Sequence, residues 1–304
     1  MVNPVLRRTL ERGLTVAAVA GVLWVMNRRY TGTAPRLIEW DRVRQVALDL
    51  SHRDGLGRLA TRDGLVERYT EMVQRSGELL SRYVGKPFVA DASPVHVFDR
   101  AEWIDANVAN FQLLFEPIER LNAQLHQSGT IGTRLLGEVN RLVLSGQLGV
   151  LMGFLARRVL GQYDMALLGR EPLPSGGKLY FVEPNIANLQ YRLGWDGTEF
   201  RMWISLHETT HAFEFEVHPW LRTHMNGLLT RYFDSMSNDL LGFQRGTGLI
   251  GLARRIGENA VPNGSAQRAR GIEIVMNAEQ REIFRQLQAL MCLLEGYSNH
   301  VMDA

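Results

Sequence analysis

The chain has 304 residues, 45% of them hydrophobic and 22% charged, and its 34 Lys and Arg against 32 Asp and Glu leave a formal charge of +2. That is the composition of a globular protein, so disorder, collagen-like repeats and low-complexity scaffolds are excluded, and no net field exists to hold nucleic acid. The lone cysteine, Cys292, excludes an internal disulfide, a zinc ribbon and an iron–sulfur site; any metal must be held by His and carboxylates.

In chain order, Arg7, Arg8 and Arg12 precede an apolar stretch from Leu14 to Met26, closed by Arg28 and Arg29. The stretch is shorter than the ~20 residues of a spanning helix and lacks a small-x-small cleavage site. An N-terminal helix or arm over residues 1–35 is expected, with a membrane anchor as the alternative. Leu65, Val66, Tyr69, Met72, Val73, Leu79, Leu80 and Tyr83 recur at spacings of three and four and predict a helix. A short strand is expected between Phe88 and Val97. Asp99 with Glu102 reads as a capping box opening a long helix, whose apolar face is Val108, Phe111, Leu114, Phe115, Ile118, Leu121 and Leu125 and whose kink is Pro117. From Leu142 to Leu155 an apolar run broken by Ser145, Gly146, Gln147, Gly149 and Gly153 predicts a core helix packed closely through its glycines. Lys178 to Glu183, bounded by Ser175-Gly-Gly and by Pro184-Asn185, is the best strand candidate. Gly242 to Gly271, rich in Gly, Arg, Asn and Ser, reads as the main flexible connection and lacks the context of a phosphate-binding loop. Asn277 with Gln280 caps a last helix carrying Ile283, Leu287, Leu290, Met291 and Leu294. The fold class that follows is mainly α with a small sheet.

The segment from Asp196 to Pro219 carries the chemistry. Asp196 with Glu199 forms a capping-box pattern for a helix that ends before Pro219. His207 and His211 stand at i and i+4, so two imidazoles one turn apart project from one face and can meet one zinc ion at about 2.0–2.1 Å. Glu208 is rotated from His207 by about 100°, where it can hold a metal-bound water without ligating the metal. This is the HExxH spacing of zinc peptidases. A pair of surface or core histidines is the alternative; against it, Trp203, Leu206, Phe213 and Val217 mark the helix as buried, and buried imidazoles need a partner.

A catalytic zinc takes three protein ligands, and the third is open to choice. His218 lies seven residues after His211, where the metzincin pattern needs six and a Gly in the turn, and Glu214 occupies that Gly position. His224 follows Pro219 on what reads as a new helix. Glu295 is the stronger candidate, because an acid there ends an apolar helical face and would be buried without a cation. A pairing of Glu295 with an Arg is the structural alternative. Asn299 and Asp303, four and eight residues on, are placed to accept a ring N–H from a liganding His.

Three blocks carry a family likeness: His207-Glu-Thr-Thr-His-Ala-Phe-Glu-Phe followed by His218-Pro-Trp-Leu-Arg, Val182-Glu-Pro-Asn-Ile upstream, and Met291-Cys-Leu-Leu-Glu-Gly-Tyr-Ser-Asn-His-Val-Met-Asp downstream. They resemble the actinobacterial-type zincin-like metallopeptidase family, some members of which are labelled as associated with biosynthesis of a deazaflavin coenzyme. The similarity runs from about Trp40 to the C-terminus. It implies a zincin-like helical domain over residues 36–304 with a small β-sheet beside the HExxH helix, zinc held by His207, His211 and Glu295, and Glu208 as base. Tyr297 stands where many relatives have His. Relatives continue beyond Met302-Asp303, so a further C-terminal segment covering the site is expected.

The chemistry that follows is metal-assisted hydrolysis of a peptide or other amide: Zn2+ lowers the pKa of its water toward ~7, and Glu208 moves the proton to the leaving amine. Tyr297, His300 and His218, in that order, are candidates to stabilise the oxyanion. The alternative function is a non-catalytic zinc-binding accessory protein in coenzyme biosynthesis or partner binding. Glu208 argues against it, since a structural site has no use for that residue and takes four protein ligands. The lack of disulfides and of a cleavable signal points to the cytoplasm, with membrane association through the N-terminal apolar helix as the alternative.

Overall fold

The computed structural model describes residues 36–59, 61–88, 93–126, 131–164, 177–244 and 276–304. The N-terminal arm, and the Gly-rich connection from residue 245 onward, lie outside the described residues. Arg36–Ala304 forms one compact unit. In it the described residues build α1 (Trp40–Ser51), α2 (Leu65–Val84), β1 (Val95–Phe98), α3 (Arg100–His126), α4 (Ile131–Ala156), β2 (Gly161–Asp164), β3 (Lys178–Val182), α5 (Glu183–Leu193), α6 (Gly197–Val217), α7 (Pro219–Gln244) and α8 (Ala278–Met302). The fold is mainly α with one small sheet, as the periodicity predicts.

Local chemistry sets the boundaries. Gly64 and Gly85 bracket α2 at φ +67° and +70°, a left-handed conformation that glycine adopts without steric cost. Leu65, Tyr69, Val73 and Leu80 are buried on α2, but Val66, Leu79 and Tyr83 are exposed, so its apolar face is narrower than the sequence pattern. Asp99 and Glu102 close both bonds of the expected capping box, at 2.8 and 2.9 Å, and α3 runs on through Pro117. The close packing expected through glycines is real at two of them. A Cβ on Gly149 would stand 2.7 Å from Val46 Cβ, and one on Gly153 2.8 Å from Leu50 Cβ, so α4 and α1 approach backbone to backbone; Gly146 faces open space. Asn277 and Gln280 cap α8 reciprocally.

The sheet has the order β1-β3-β2, with β1 parallel and β2 antiparallel to the central β3. Two strand boundaries differ from expectation. The first strand is confined to Val95–Phe98, and Glu183 leaves β3 to open α5, because Pro184 has no N–H to give a ladder and fits the first turn of a helix. Leu179 and Phe181 pack with Tyr69, Ile186, Phe200, Ile204 and Ala212 in the main core, while a second cluster joins Trp40, Val43, Trp103, Ile104 and Met152.

The corner between β3 and α5 is tied down by buried polar groups. Glu183 accepts a 2.5 Å bond from the Tyr69 hydroxyl and pairs with Arg201 of α6. Arg100 is 1% exposed and donates to Asn185 Oδ1, to the Ser51 carbonyl and to Asp54. The Val182-to-Ile186 block is therefore the joint at which α1, α2, α3 and α6 meet the sheet. No described helix is long and apolar enough to cross a membrane.

Candidate metal centre

Helix α6 starts at Asp196, whose carboxylate accepts from the backbone N–H groups of Thr198 and Glu199 at 2.8 and 2.9 Å. Eleven residues past this cap the helix presents His207, and one turn later His211, with ring centroids 4.8 Å apart. Helix α8 packs on α6 and brings in a carboxylate: Glu295 Oε2 lies 3.7 Å from His207 Nε2, and Oε1 lies 3.7 Å from His211 Nε2. One ligand atom from each of the three residues falls within 4.8 Å of the others, and among the described residues this is the group of His, Cys, Asp and Glu that could hold a metal. Glu295 is 52% exposed, against the expectation of a buried acid; it closes the group from its solvent side.

The outer ring nitrogens are engaged by residues the sequence reading passes over. His207 Nδ1 is 2.9 Å from Ser298 Oγ, and His211 Nδ1 is 2.8 Å from Glu214 Oε2. Asn299 on α8 and Asp303, the residue that follows its last turn, both expected in this role, are exposed. The reason is angular: Ser298, three residues after Glu295, turns toward α6, whereas Asn299 is carried outward. Glu214 had a signal in its spacing, since i and i+3 side chains are neighbours on a helix.

A family model described as zincin-like metallopeptidase matches residues 38–304. The chain belongs to this family. A crystal structure provisionally named a hydrolase with a novel fold, from Chloroflexus aurantiacus, is 36% identical with a TM-score of 0.57, covering 88% of this chain and 68% of that one. No curated protein matches the chain. Membership and likeness together support a zinc hydrolase.

In this zincin-like protein Glu208 is 7% exposed and lies against β2, where it accepts the backbone N–H of Tyr163. A Cβ on Gly161 would stand 2.5 Å from Glu208 Cγ, so any larger residue at that position would force the carboxylate or the strand to shift. Burial pushes the Glu208 carboxyl up to about 7. Burial, helped by the neighbouring His211, holds the His207 imidazole below its usual range and so favours the neutral ring that a metal requires. At His211 burial pulls the same way, but the Glu214 hydrogen bond and the surrounding carboxylates outweigh it and raise the ring's affinity for a proton.

The other candidate histidines make their contacts away from the His-His-Glu group. His218 caps α6, with Nδ1 3.2 Å from the Glu214 carbonyl and Nε2 3.4 Å from Lys86 Nζ. His300 Nε2 is 3.2 Å from the Tyr83 hydroxyl, and His224 is exposed on α7. Tyr297 packs against the cluster of Leu80, Phe213 and Val301. Its phenol is raised by burial and by the charge of Glu214, which puts it near the partner of His211. Trp203, expected to bury α6, is instead 46% exposed.

Two imidazole nitrogens and a carboxylate suit zinc, and the hydrogen bonds at both Nδ1 atoms leave the Nε2 atoms to ligate. A cleft of about 690 Å³ near the start of α6, lined by Arg58, Arg68, Glu183 and Arg201 among others, includes none of these residues. Among the described residues the His-His-Glu group, and not that cleft, carries convergent atoms that could ligate a metal.

Proposed function

We propose that this chain is a zinc-dependent amide hydrolase acting on peptides, with His207, His211 and Glu295 as the metal ligands and Glu208 as the general base. The observation that carries the reading is the convergence of three ligand atoms from α6 and α8 within 4.8 Å, beside a buried carboxylate that is not one of them. When bound, zinc lowers the pKa of a coordinated water toward ~7 and polarises the carbonyl under attack.

The protein's own groups do the rest. Glu208 takes a proton from the attacking water and returns it to the leaving nitrogen; burial favours the protonated carboxyl, the direction that helps it hold the proton between the two halves of the transfer. The amide of Tyr163 fixes the carboxylate's direction, and burial under β2 keeps bulk water from it. Tyr297 is the proposed oxyanion donor, since the rings of His218 and His300 are engaged elsewhere and its phenol lies within reach of the charge on Glu214. Tyr297→Phe keeps the packing and removes the hydroxyl; kcat is expected to fall by at least about tenfold with an unchanged melting temperature. An unchanged kcat would assign Tyr297 to packing.

The test of the reading is a pair of variants assayed for zinc content and for cleavage of a mixed peptide library. Glu208→Gln is expected to keep zinc and to lose about 10²–10⁴-fold in rate, because the amide retains shape and cannot accept a proton. His207→Ala should lose the metal. A Glu208→Gln protein with wild-type turnover would end the assignment of the base. Zinc-loaded wild type that cleaves nothing would favour the accessory, non-catalytic role.

A further inference from the structure

We infer that the cleft at the start of α6 binds a small organic anion with an apolar body, at a site separate from the metal centre and independent of the zinc reading. The space measures about 690 Å³, within the roughly 300–1,000 Å³ of small-molecule sites. Its walls come from the loop after α1, from α2, from α5 and from the first turns of α6. None of the residues at the metal centre lines it. Arg201, which does, precedes His207 by six residues, about 9 Å along the helix.

The charges of the lining do not balance. They are Arg58, Arg68, Glu183 and Arg201. Glu183 and Arg201 cancel, since this guanidinium donates to both carboxylate oxygens and to the Gly197 carbonyl, and the Tyr69 hydroxyl donates to the same carboxylate. Arg58 and Arg68 are left over. Arg68 donates through Nε to the Gly64 carbonyl at 3.1 Å, and among the described residues no carboxylate pairs with either guanidinium. The acids that flank the cleft in sequence are engaged elsewhere: Asp54 by Arg100 and Arg157, Asp196 by the N–H groups of Thr198 and Glu199. Two positive charges on a concave wall, with no counter-charge of their own, focus a field that favours an oxyanion, and a guanidinium fork grips one through paired N–H bonds. The remaining surface decides what carries that oxyanion. Leu59 and Leu65 back onto the main core, while Leu56 and Tyr191 are 46% and 83% exposed. An inorganic ion would leave these side chains in water, whereas a hydrocarbon or aromatic body would cover them and gain the burial.

The experiment is a fluorescence titration of the full chain with anilinonaphthalene sulfonate and with N-phenylnaphthylamine, which has the same rings and no sulfonate. Wild type should bind the sulfonate at one saturable site, with the same affinity in the presence of EDTA, which strips the metal centre. In the double variant Arg58→Gln/Arg68→Gln the sulfonate should bind at least about tenfold more weakly, the loss expected for charge-assisted hydrogen bonds, while the uncharged probe binds as before. Ala187→Trp, which places a large side chain in the cleft, should lose both probes with an unchanged melting temperature. Octanoate and octyl phosphate are then added as competitors, and the one that displaces the sulfonate at the lower concentration names the oxyanion. An affinity for the sulfonate that survives the double variant or Ala187→Trp would overturn the inference. So would binding that does not saturate, or displacement by neither competitor. All of these results leave the hydrolase reading untouched.

Discussion

Each imidazole at the centre has a partner on its far nitrogen, and the two partners differ in charge. His211 faces the carboxylate of Glu214 at 2.8 Å, while His207 faces the hydroxyl of Ser298 at 2.9 Å. A carboxylate holds the N–H, fixes which nitrogen is free for the metal and raises ligand basicity, so its loss should be felt in affinity before it is felt in fold. Glu214→Gln is expected to weaken zinc binding by about 10–100-fold in a chelator competition, and Ser298→Ala by less; wild-type affinity in Glu214→Gln would show that the contact does not tune the metal. The pair His207 and His211 and the position of Glu208 are legible from spacing alone, because one helical turn fixes where they point. Glu214 is harder to read: set against the metzincin pattern it is only the residue where Gly should stand, and its place three residues after His211 tells more. Glu295 is a sound candidate on a poor argument, since it sits at the open side of the group and not in the apolar interior.

Strand β2 is the element whose role is least visible in the sequence. Its four residues, Gly161 to Asp164, show no apolar alternation, and its identity comes from antiparallel pairing with β3. Yet it is β2 that lays a side-chain-free position against Glu208. Gly161→Ala should displace the Glu208 carboxylate, because the added methyl would fall 2.5 Å from Cγ and 2.6 Å from Oε1. The expected outcome is a protein that holds zinc and has lost at least about tenfold in kcat, the lower part of a general base's contribution; full activity would mean that Glu208 works from another rotamer. The helices were easier to read, since three- and four-residue spacing and cap residues mark α2, α3, α6 and α8. Their exposed sides were not. Val66, Leu79, Trp203 and Met291 belong to apolar stripes in the sequence and are exposed in the fold, because how wide a stripe is covered depends on which elements pack there.

At the scale of the whole unit, a centre built from two helices works only if both are held in register across the chain. Arg201 ties α6 through Glu183 to Tyr69 of α2, and Arg100 ties α3 through Asn185 to the start of α5, so the joint after β3 fixes the helix that carries two of the three proposed ligands. Helix α8 adds the third from far along the sequence by packing Leu290 and Leu294 into the same core as Ile204 and Ala212. The central claim is that these elements converge on one metal. It is tested most directly by the zinc content and zinc affinity of the full chain beside Glu295→Ala. One zinc per chain is expected in wild type, with a loss of affinity in Glu295→Ala greater than the about 10–100-fold that removing a hydrogen-bonding partner brings. Zinc held by Glu295→Ala as tightly as by wild type would contradict the account.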